Sequence, residues 1–405
     1  MTSCKVYSYP NKQINSICFS LLCCDGAMTE KANEKGLTHL LEHLCFRKAG
    51  DLSQSQIYTL LESNGVNLNG RTGKNYVELQ FKCRPDVFDT IAKLVSKMWF
   101  EMDYSQEDLD LEKKVVCSEI YLKEKSNSQT IRNKRWRNSL LDCTILGDIQ
   151  SVDDLTLQQV VNRKKALLST DTIILIAGNV SQENFAIVQR EFADRFVPAE
   201  QNKLPAVLRE DSSQVLNMVK DRYSDVDVYY SFHATIGNDE DKYFAMCALE
   251  SILLMGNCGY FVETLREKFG LVYEVDSDVE MVEGEINFLI KLSCDKKHIT
   301  DLVSQMEKLV RNFIVTDKYL QYVRAFYCDN LPIILDDPES VCDCVTNGIV
   351  AINSIIAPQH FSFMCQQLDP HFCQQIFDEL KINKQVYLFG NISRCLSKEI
   401  RKLIS

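Results

Sequence analysis

Residues 62–70 read ESNGVNLNG, and a related stretch, EKFGLVYEV, returns at residues 267–275. Three further stretches also recur in order: HLLEH (39–43) as CALES (247–251), LVSKM (94–98) as LVSQM (302–306), and IAGNVS (176–181) as LFGNIS (388–393). The four offsets are 205, 208, 208 and 212 residues. Because the offset is nearly constant, the echoes predict two homologous repeats of about 200 residues, a normal domain size.

The repeats also predict where one domain ends and the next begins. We assign residues 1–200 to the first repeat, 201–215 to a linker and 216–405 to the second repeat. Pro198 and Pro205 interrupt the polar run RFVPAEQNKLPAVLREDSSQ. Prolines in a polar run are typical of a connection between domains.

The fold class follows from the periodicity of apolar residues. Alternation in QINSICFSLLCC and in DVDVYYSFHATI predicts a strand near the start of each repeat, and VNLNGRT and NYVELQFKC predict two more strands. In the first repeat, before VNLNGRT, Ser53 is placed to cap a helix that ends at Asn64-Gly65. Since strands and helices do not alternate strictly, we expect an α+β fold in which each repeat is a mostly antiparallel sheet with helices packed on one side.

Composition narrows the possible partners and compartments. A net charge of −11 and a pI near 5.2 argue against binding to nucleic acid or to an anionic membrane. The N-terminus has no apolar core of signal-peptide length, and SICFSLLCC is too short to cross a bilayer. The 17 cysteines are odd in number and scattered, so we expect reduced thiols and a cytoplasmic protein.

The stretch HLLEH is the strongest candidate for chemistry. His39 and His43 are four residues apart, so on a helix both imidazoles face the same side and could hold one metal ion. Glu42 lies within one turn of His39, where it could contact a water held by the metal. The alternative is a solvated helix face that happens to carry two histidines.

A catalytic zinc site normally has three protein ligands, so one more is needed. Glu112 and Glu119 in LDLEKKVVCSEIYLKEK lie seven residues apart, on one face of a predicted helix. Taken alone, they are more typical of a charged surface than of metal ligands. Cys45 and Cys117 are each two residues from a proposed ligand and point the opposite way on a helix, so we exclude both.

Other polar residues are assigned to structure or surface. The basic run IRNKRWRNS, with Arg132, Lys134, Arg135 and Arg137, is interpreted as a solvated helix face, with the lining of a substrate cavity as the alternative. Structural or surface roles are assigned to the four isolated histidines, which are His233, His298, His360 and His371.

Taken together, these motifs resemble those of the pitrilysin or insulinase family of zinc peptidases, the inverzincins. The family has H-x-x-E-H followed about 75 residues later by a glutamate, with another glutamate seven residues before it. Here 75 residues separate His43 from Glu119, and Glu112 fills the earlier position. GVNLNGRT resembles a family strand, with Gly70 in place of the usual alanine. GNCGYFVETLREKFGLVYEV resembles the family segment that carries a substrate-binding Arg and Tyr, here Arg266 and Tyr273.

The resemblance implies a role for each of these residues. It implies Zn²⁺ held by His39, His43 and Glu119, with Glu42 as general base and Glu112 orienting a ligand from behind. It also implies that an extended peptide pairs with the strand and that the Arg/Tyr pair clamps it. The substrate-binding residues are then Asn69, Gly70, Arg71, Thr72, Arg266 and Tyr273.

The resemblance further implies a partner chain. Members of this length dimerise around a closed chamber that admits short or unfolded peptides, such as signal, targeting or leader peptides. Both the zinc ligands and the Arg/Tyr pair are complete here, so we expect a homodimer, or a heterodimer with a zinc-less paralogue. Alternatives are a non-catalytic assembly subunit and a module that binds peptides without cutting them.

Overall fold

The computed structural model describes residues 4–101, 103–136, 141–196, 215–219 and 225–404. Most of the predicted linker, residues 201–214, lies outside these ranges. The strands are β1 (Cys4–Pro10), β2 (Ile17–Cys23), β3 (Lys48–Ala49), β4 (Leu52–Ser53), β5 (Asn67–Thr72), β6 (Val77–Cys83), β7 (Thr172–Gly178), β8 (Val215–Val219), β9 (Asp225–Thr235), β10 (Glu274–Val282), β11 (Glu285–Asp295) and β12 (Lys384–Phe389).

The helices lie between these strands in both halves of the chain. They are α1 (Leu37–Cys45), α2 (Gln54–Ser63), α3 (Phe88–Phe100), α4 (Gln106–Glu124), α5 (Asn127–Lys134), α6 (Ile149–Asp154), α7 (Leu157–Leu168), α8 (Gln182–Glu191), α9 (Glu240–Leu254), α10 (Tyr260–Val262), α11 (Ile299–Asn312), α12 (Asp317–Arg324), α13 (Leu331–Asp336), α14 (Pro338–Ile352), α15 (Pro358–Gln367), α16 (Pro370–Ile382) and α17 (Arg394–Ile404). Among the described helices, none has the length and apolar character needed to cross a bilayer.

Two five-stranded sheets have the same topology, which confirms the predicted α+β fold. The first has the strand order β1-β7-β2-β6-β5, and the second, read from its other edge, has β8-β12-β9-β11-β10. In each sheet, one edge strand pairs in parallel (β1 with β7, β8 with β12) and the other pairs are antiparallel. The mostly antiparallel prediction is therefore confirmed.

One face of the first sheet forms the apolar core with the helices of its own repeat. Phe19 on β2 and Phe81 on β6 stack with ring centroids 5.1 Å apart, and both side chains are buried. Successive strand residues point to opposite faces, so Ser20 and Glu78 lie on the other face. Glu78 is nevertheless 0% exposed, which shows that this second face is covered too.

The second face of the first sheet is covered by a segment that belongs to the second repeat in sequence. A short segment of the first repeat likewise packs with the second sheet. Unit 1 comprises residues 1–126, 136–208 and 332–350, and unit 2 comprises residues 127–135, 209–331 and 351–405. Residues 332–350 thus pack within unit 1, and residues 127–135 pack within unit 2. The two exchanged segments start 205 residues apart, the offset of one of the sequence echoes.

Polar contacts hold residues 332–350 against the first sheet. Asp343 on α14 accepts hydrogen bonds from Arg71 at 2.8 Å and from Gln80 at 3.0 Å. The hydroxyl of Thr346 donates to Glu78 at 3.4 Å. A polar rather than apolar second face explains why the sequence of β6 alternates as a half-buried strand although both of its faces are covered.

The segment exchanged into unit 2 corrects one interpretation of the sequence. Arg135, assigned above to a solvated helix face, is 6% exposed and pairs with Asp278 and Glu280 on β10, each at 2.5 Å. Ile131 packs in a buried cluster with Tyr229, and Ser128 lies 3.0 Å from the Tyr229 hydroxyl. Ile131 and Arg135 of this run therefore lie against a sheet face instead of facing solvent, whereas Arg137 lies outside the residues that the structure describes.

Candidate metal centre

Helix α1 carries the histidines, and a half-buried carboxylate fixes where the helix begins. Glu30 accepts hydrogen bonds from the backbone N–H groups of Gly36, at 2.8 Å, and Thr38, at 2.6 Å. Because the first turn of a helix leaves N–H groups without intrahelical partners, an acid there satisfies them and also complements the helix dipole. Gly36 has φ +83°, a left-handed conformation that favours glycine.

A second contact ties the start of α1 to helix α7. Arg163 donates to the Thr38 hydroxyl at 2.9 Å and to both carboxylate oxygens of Asp25, at 3.0 and 3.1 Å. Arg163 is 9% exposed, so its guanidinium is bound by Thr38 and Asp25 rather than by water. The N-terminus of α1 is therefore held by two independent polar contacts.

The apolar side of α1 sets the orientation of its histidines. Leu40, Leu41 and Leu44 are at most 1% exposed and pack in the core of unit 1. With these leucines buried, the spacing of the helix directs His39 and His43 together toward helix α4. Their rings lie with centroids 4.7 Å apart.

Helix α4 brings Glu119 to the two histidines. The Glu119 Oε2 atom lies 3.7 Å from His39 Nε2 and 3.7 Å from His43 Nε2. Ser105 and Asp108 begin this helix with a reciprocal capping box. Leu109, Val116 and Ile120 pack the neighbouring side of this helix into the core.

The donor atoms fit a zinc ion. One atom from each of His39, His43 and Glu119 lies within 4.8 Å of the others, which makes them a candidate metal site among the described residues. Ligands about 2.1 Å from a tetrahedral zinc lie about 3.4 Å from one another. The two measured donor separations of 3.7 Å are close to this value. Two imidazoles and one carboxylate are also a donor set that zinc prefers.

Glu42 is held beside the metal site by the strand β5. Its Oε2 atom accepts a hydrogen bond from the Thr72 hydroxyl at 3.1 Å. Its Oε1 atom lies against Gly70, where a Cβ atom would come within 2.2 Å of it. Gly70 and Thr72 share one face of β5, and the missing side chain at Gly70 leaves room for the Glu42 carboxylate.

Glu112 lies behind His43 and contacts two cationic or polar groups. Its Oε2 atom is 3.1 Å from His43 Nδ1, and its Oε1 atom contacts Arg47 Nε. The Glu112 side chain is 5% exposed. A hydrogen bond of this kind from the far ring nitrogen is typical of histidines that bind metal.

The pKa values of the histidines differ because their surroundings differ. Burial lowers the pKa of His39 to about 4, with the neighbouring His43 adding to the effect. Burial alone would lower the pKa of His43, but the hydrogen bond to Glu112 and the nearby carboxylates raise it. His39 is thus held in the neutral form that binds metal.

The three carboxylates of the site are also tuned separately. Burial raises the pKa of Glu42, which suits a group that must gain and lose a proton. Burial would also raise the pKa of Glu112, but hydrogen bonds from His43 and Arg47 lower it. The pKa of Glu119 is lowered because Lys123 and His39 offset its burial. Glu112 and Glu119 are therefore ionised at neutral pH.

The remaining predicted residues of β5 do not all face Glu42. Asn69 is exposed, and Arg71 pairs with Glu78 at 2.7 Å and with Asp343 at 2.8 Å. Since side chains alternate along a strand, Asn69 and Arg71 point away from the face that holds Gly70 and Thr72. This placement argues against a substrate contact by the Arg71 side chain, whose partners are structural.

Arg266 and Tyr273 belong to unit 2, whereas the predicted zinc ligands belong to unit 1. Arg266 lies in a π-helical turn, Glu263–Lys268, and its side chain is 48% exposed. Tyr273 directly precedes β10 and is 59% exposed. Their role in binding substrate stays a prediction.

Sequence reasoning missed several residues that support the site. Glu30 and Arg163 hold the start of α1, and Arg47 holds Glu112. Arg47 follows the H-x-x-E-H motif closely enough to have been considered, but no spacing rule ties an arginine there to a glutamate 65 residues later.

Comparison with family models accounts for most of the chain. Residues 6–148 match the insulinase (peptidase family M16) model, and residues 154–325 match the model described as the peptidase M16 inactive domain. The first match contains the candidate metal site. The second contains Arg266 and Tyr273.

Curated relatives include both a named peptidase subunit and uncharacterized proteins. The mitochondrial-processing peptidase subunit beta of Neurospora crassa is 24% identical over 208 residues, which are 50% of this chain and 42% of that protein. An uncharacterized zinc protease of Mycobacterium leprae is 20% identical over 293 residues, which are 70% of this chain and 66% of that protein. The matched regions span less than two thirds of either relative.

Solved structures share the fold over nearly the whole chain. A protease from Helicobacter pylori has a TM-score of 0.81 at 18% identity, covering 95% of this chain and 96% of that chain. A peptidase M16 inactive domain from Pseudomonas fluorescens has a TM-score of 0.82 at 14% identity, covering 97% and 98%. At such identities these likenesses show a common fold.

Proposed function

Because this chain belongs to the insulinase family of peptidases, peptidase family M16, we propose that it is a zinc-dependent endopeptidase. The observation that carries the proposal is the meeting of His39, His43 and Glu119 donor atoms within 4.8 Å of one another. Glu42 lies beside them on the same helix, held by Thr72. This arrangement supplies three ligands and a separate acid/base group, as hydrolysis of a peptide bond requires.

The residues of the site divide the chemistry between them. When bound, zinc supplies a Lewis acid that polarises a carbonyl group and makes water more acidic. Glu42 accepts the proton of the attacking water and returns it to the leaving amine, a task for which its raised pKa suits it. Glu112 accepts the Nδ1–H of His43, so that the Nε2 lone pair faces the ligand position.

The substrate in this proposal is an extended peptide that adds to the first sheet. Strand β5 lies at the edge of that sheet, and β6 is its one partner among the strands that the structure describes, so the other side of β5 offers backbone groups for pairing. A peptide paired with residues 69–72 would pass Gly70 and Thr72, the two residues that contact Glu42. Recognition through the backbone favours short or unfolded peptides, among them signal, targeting or leader peptides.

A dimer completes the proposal, with Arg266 and Tyr273 acting on the peptide bound by the partner chain. The exposure of both side chains supports their availability for such a contact. The dimer is either a homodimer or a heterodimer with a zinc-less paralogue. We place the protein in the cytoplasm, for which its 17 cysteines, odd in number and scattered without the regular spacing of a disulfide framework, are the support.

Zinc content and turnover of a quenched peptide test the proposal together. The wild-type chain should carry about one zinc per chain and cut the peptide, whereas Glu42→Gln should keep the zinc and lose most of the turnover. Glu62→Gln, which changes an exposed glutamate of α2, serves as the matched control and should cut normally. Equal turnover by Glu42→Gln and the wild type would overturn the proposal.

The role of the partner chain has a test of its own. Chains carrying Glu42→Gln are mixed with chains carrying Arg266→Ala under conditions that allow subunit exchange. If Arg266 acts across a homodimer, the mixture regains activity, because one site then combines an intact Glu42 with an intact Arg266. No recovery despite proven exchange would contradict the action of Arg266 across the dimer.

A further inference from the structure

We propose that Arg47 is a positioning residue for zinc: through Glu112 it fixes the His43 imidazole and thereby sets the affinity of the site. The inference rests on the proposed function for its ligand, and it adds a residue outside the H-x-x-E-H motif. Arg47 follows the C-terminal cap of α1, Phe46, and so lies where this helix ends.

The Glu112 carboxylate is shared between the arginine and the histidine. Its Oε1 atom contacts Arg47 Nε, and its Oε2 atom lies 3.1 Å from His43 Nδ1. Among the described residues each of the two oxygens has a partner, so the carboxylate cannot rotate without breaking a contact. The orientation of the carboxylate plane is therefore set jointly by Arg47 and His43.

Arg47 is itself anchored at its other end. Its Nη1 atom donates to the Gln54 side-chain oxygen at 3.1 Å, at the first residue of α2. The Arg47 side chain is 17% exposed and that of Glu112 is 5% exposed, so solvent competes weakly for this contact. A planar guanidinium held at two points presents its Nε–H in a fixed direction, which a lysine could not do.

The consequence for His43 is a fixed tautomer and a fixed ring. With Nδ1–H donated to Glu112, the lone pair of His43 lies on Nε2, which faces Glu119 Oε2 at 3.7 Å. Without Arg47, Glu112 would be an almost buried carboxylate with one oxygen unpaired, and such a group turns toward water when it can. The His43 ring would then lose its support.

A neighbouring ion pair offers a matched control. Lys48 lies next to Arg47, and its Nζ atom is 3.7 Å from Asp108 Oδ2 near the start of α4. This pair joins β3, which follows α1, to α4, and the described contacts of Asp108 are with Lys48 and Ser105 and not with a predicted zinc ligand. Its side chains are 38% and 16% exposed, so its loss should have little effect.

Zinc affinity measured by competition with a chelator tests the proposal on the full chain. Arg47→Met should bind zinc about 10–100-fold more weakly, the usual effect when the direct partner of a metal-binding histidine is lost, because Glu112 without Arg47 no longer holds His43. Lys48→Met should stay within about twofold of the wild type. With cobalt in place of zinc, the visible spectrum of Arg47→Met should change, because the ligand geometry is altered, whereas that of Lys48→Met should not.

Two results would overturn the proposal: wild-type affinity in Arg47→Met, or an equal loss in Lys48→Met. Should Arg47→Met fail to fold, Arg47→Lys replaces it in the test. Its zinc affinity should be about tenfold weaker than that of the wild type, because lysine keeps the charge but lacks the planar guanidinium. These binding measurements do not depend on turnover. A wild type that binds zinc but cuts no peptide would contradict the proposed function without affecting the role proposed for Arg47.

Discussion

Replacing Arg71 with methionine should destabilise unit 1 and leave peptide binding unchanged. Arg71 is the one residue of the predicted substrate strand whose side chain is tied to buried structure. It pairs with Glu78 at 2.7 Å, and Glu78 is 0% exposed. It also pairs with Asp343 on the exchanged helix α14, at 2.8 Å.

The size of the effect follows from the burial of Glu78. Removing one partner of a buried ion pair leaves an uncompensated charge and costs about 3–5 kcal/mol. The Arg71 side chain is 35% exposed, and Ser20 still donates to Glu78 at 2.6 Å. We therefore expect Arg71→Met to lower the free energy of unfolding by about 3 kcal/mol, the lower end of this range.

The loss of unfolding free energy in Arg71→Met should grow as the pH rises. Burial raises the pKa of Glu78 above its ordinary value of 4.5, and Arg71 opposes this rise. Without Arg71 the folded-state pKa rises further, so the folded variant holds its proton to higher pH than the unfolded chain does. The stability deficit should therefore be small at about pH 5 and near its full size at about pH 8.

Thermal unfolding at these two pH values, with KM for a quenched peptide, provides the assay. The double variant Arg71→Met/Glu78→Gln should recover part of the stability, because it removes the stranded charge. Arg84→Met is the control, since Arg84 pairs with Asp86 in an exposed contact with side chains 59% and 68% exposed. An Arg71→Met variant with wild-type stability and a raised KM would refute the structural role and restore Arg71 to the substrate site.

Three further predictions concern the metal, the second repeat and the exchange of segments. Glu119→Gln should bind zinc at least tenfold more weakly by chelator competition, whereas Glu124→Gln at the end of α4 should not; equal affinities would remove Glu119 from the ligand set. Burial raises the pKa of Glu250 to about 7, so its ionisation costs folded-state stability as the pH rises from about 4.5 to 7. Glu250→Gln should therefore stabilise unit 2 at about pH 8 by as much as about 3 kcal/mol, the exposed Glu379→Gln should not, and equal unfolding curves would contradict the burial effect. Residues 1–208 alone lack residues 332–350 of unit 1 and should show no cooperative unfolding by circular dichroism until co-expressed with residues 209–405; cooperative unfolding of the fragment alone would contradict the need for exchange.

Local patterns in the sequence predict the elements that hold the site. Ser53 and Asn64 bound helix α2 as predicted, and β5 and β6 lie within the predicted strand stretches. The equivalence of HLLEH and CALES is matched by the topology, since each lies on the helix after the central strand of its sheet. These features depend on caps and periodicity, which neighbouring residues determine.

Long-range partners could not be predicted in the same way. The strand β1 (CKVYSYP) pairs in parallel with β7, and nothing within seven residues indicates a partner 168 positions away. The exchange of residues 127–135 and 332–350 is equally invisible, because an amphipathic helix does not encode which of two homologous sheets it covers. The prediction of a solvated Arg135 is wrong for this reason, and the pairing of Arg71 with Asp343 is equally hidden from local patterns, since both partners come from distant segments.

Anomalous diffraction at the zinc edge, from crystals of the wild-type chain grown with zinc, tests the central claim most directly. The account predicts one peak about 2.1 Å from the Nε2 atoms of His39 and His43 and from a Glu119 oxygen. Glu42 and Glu112 should both lie outside the coordination shell. A peak elsewhere, or one in which Glu42 or Glu112 replaces Glu119 as a ligand, would contradict the site described above.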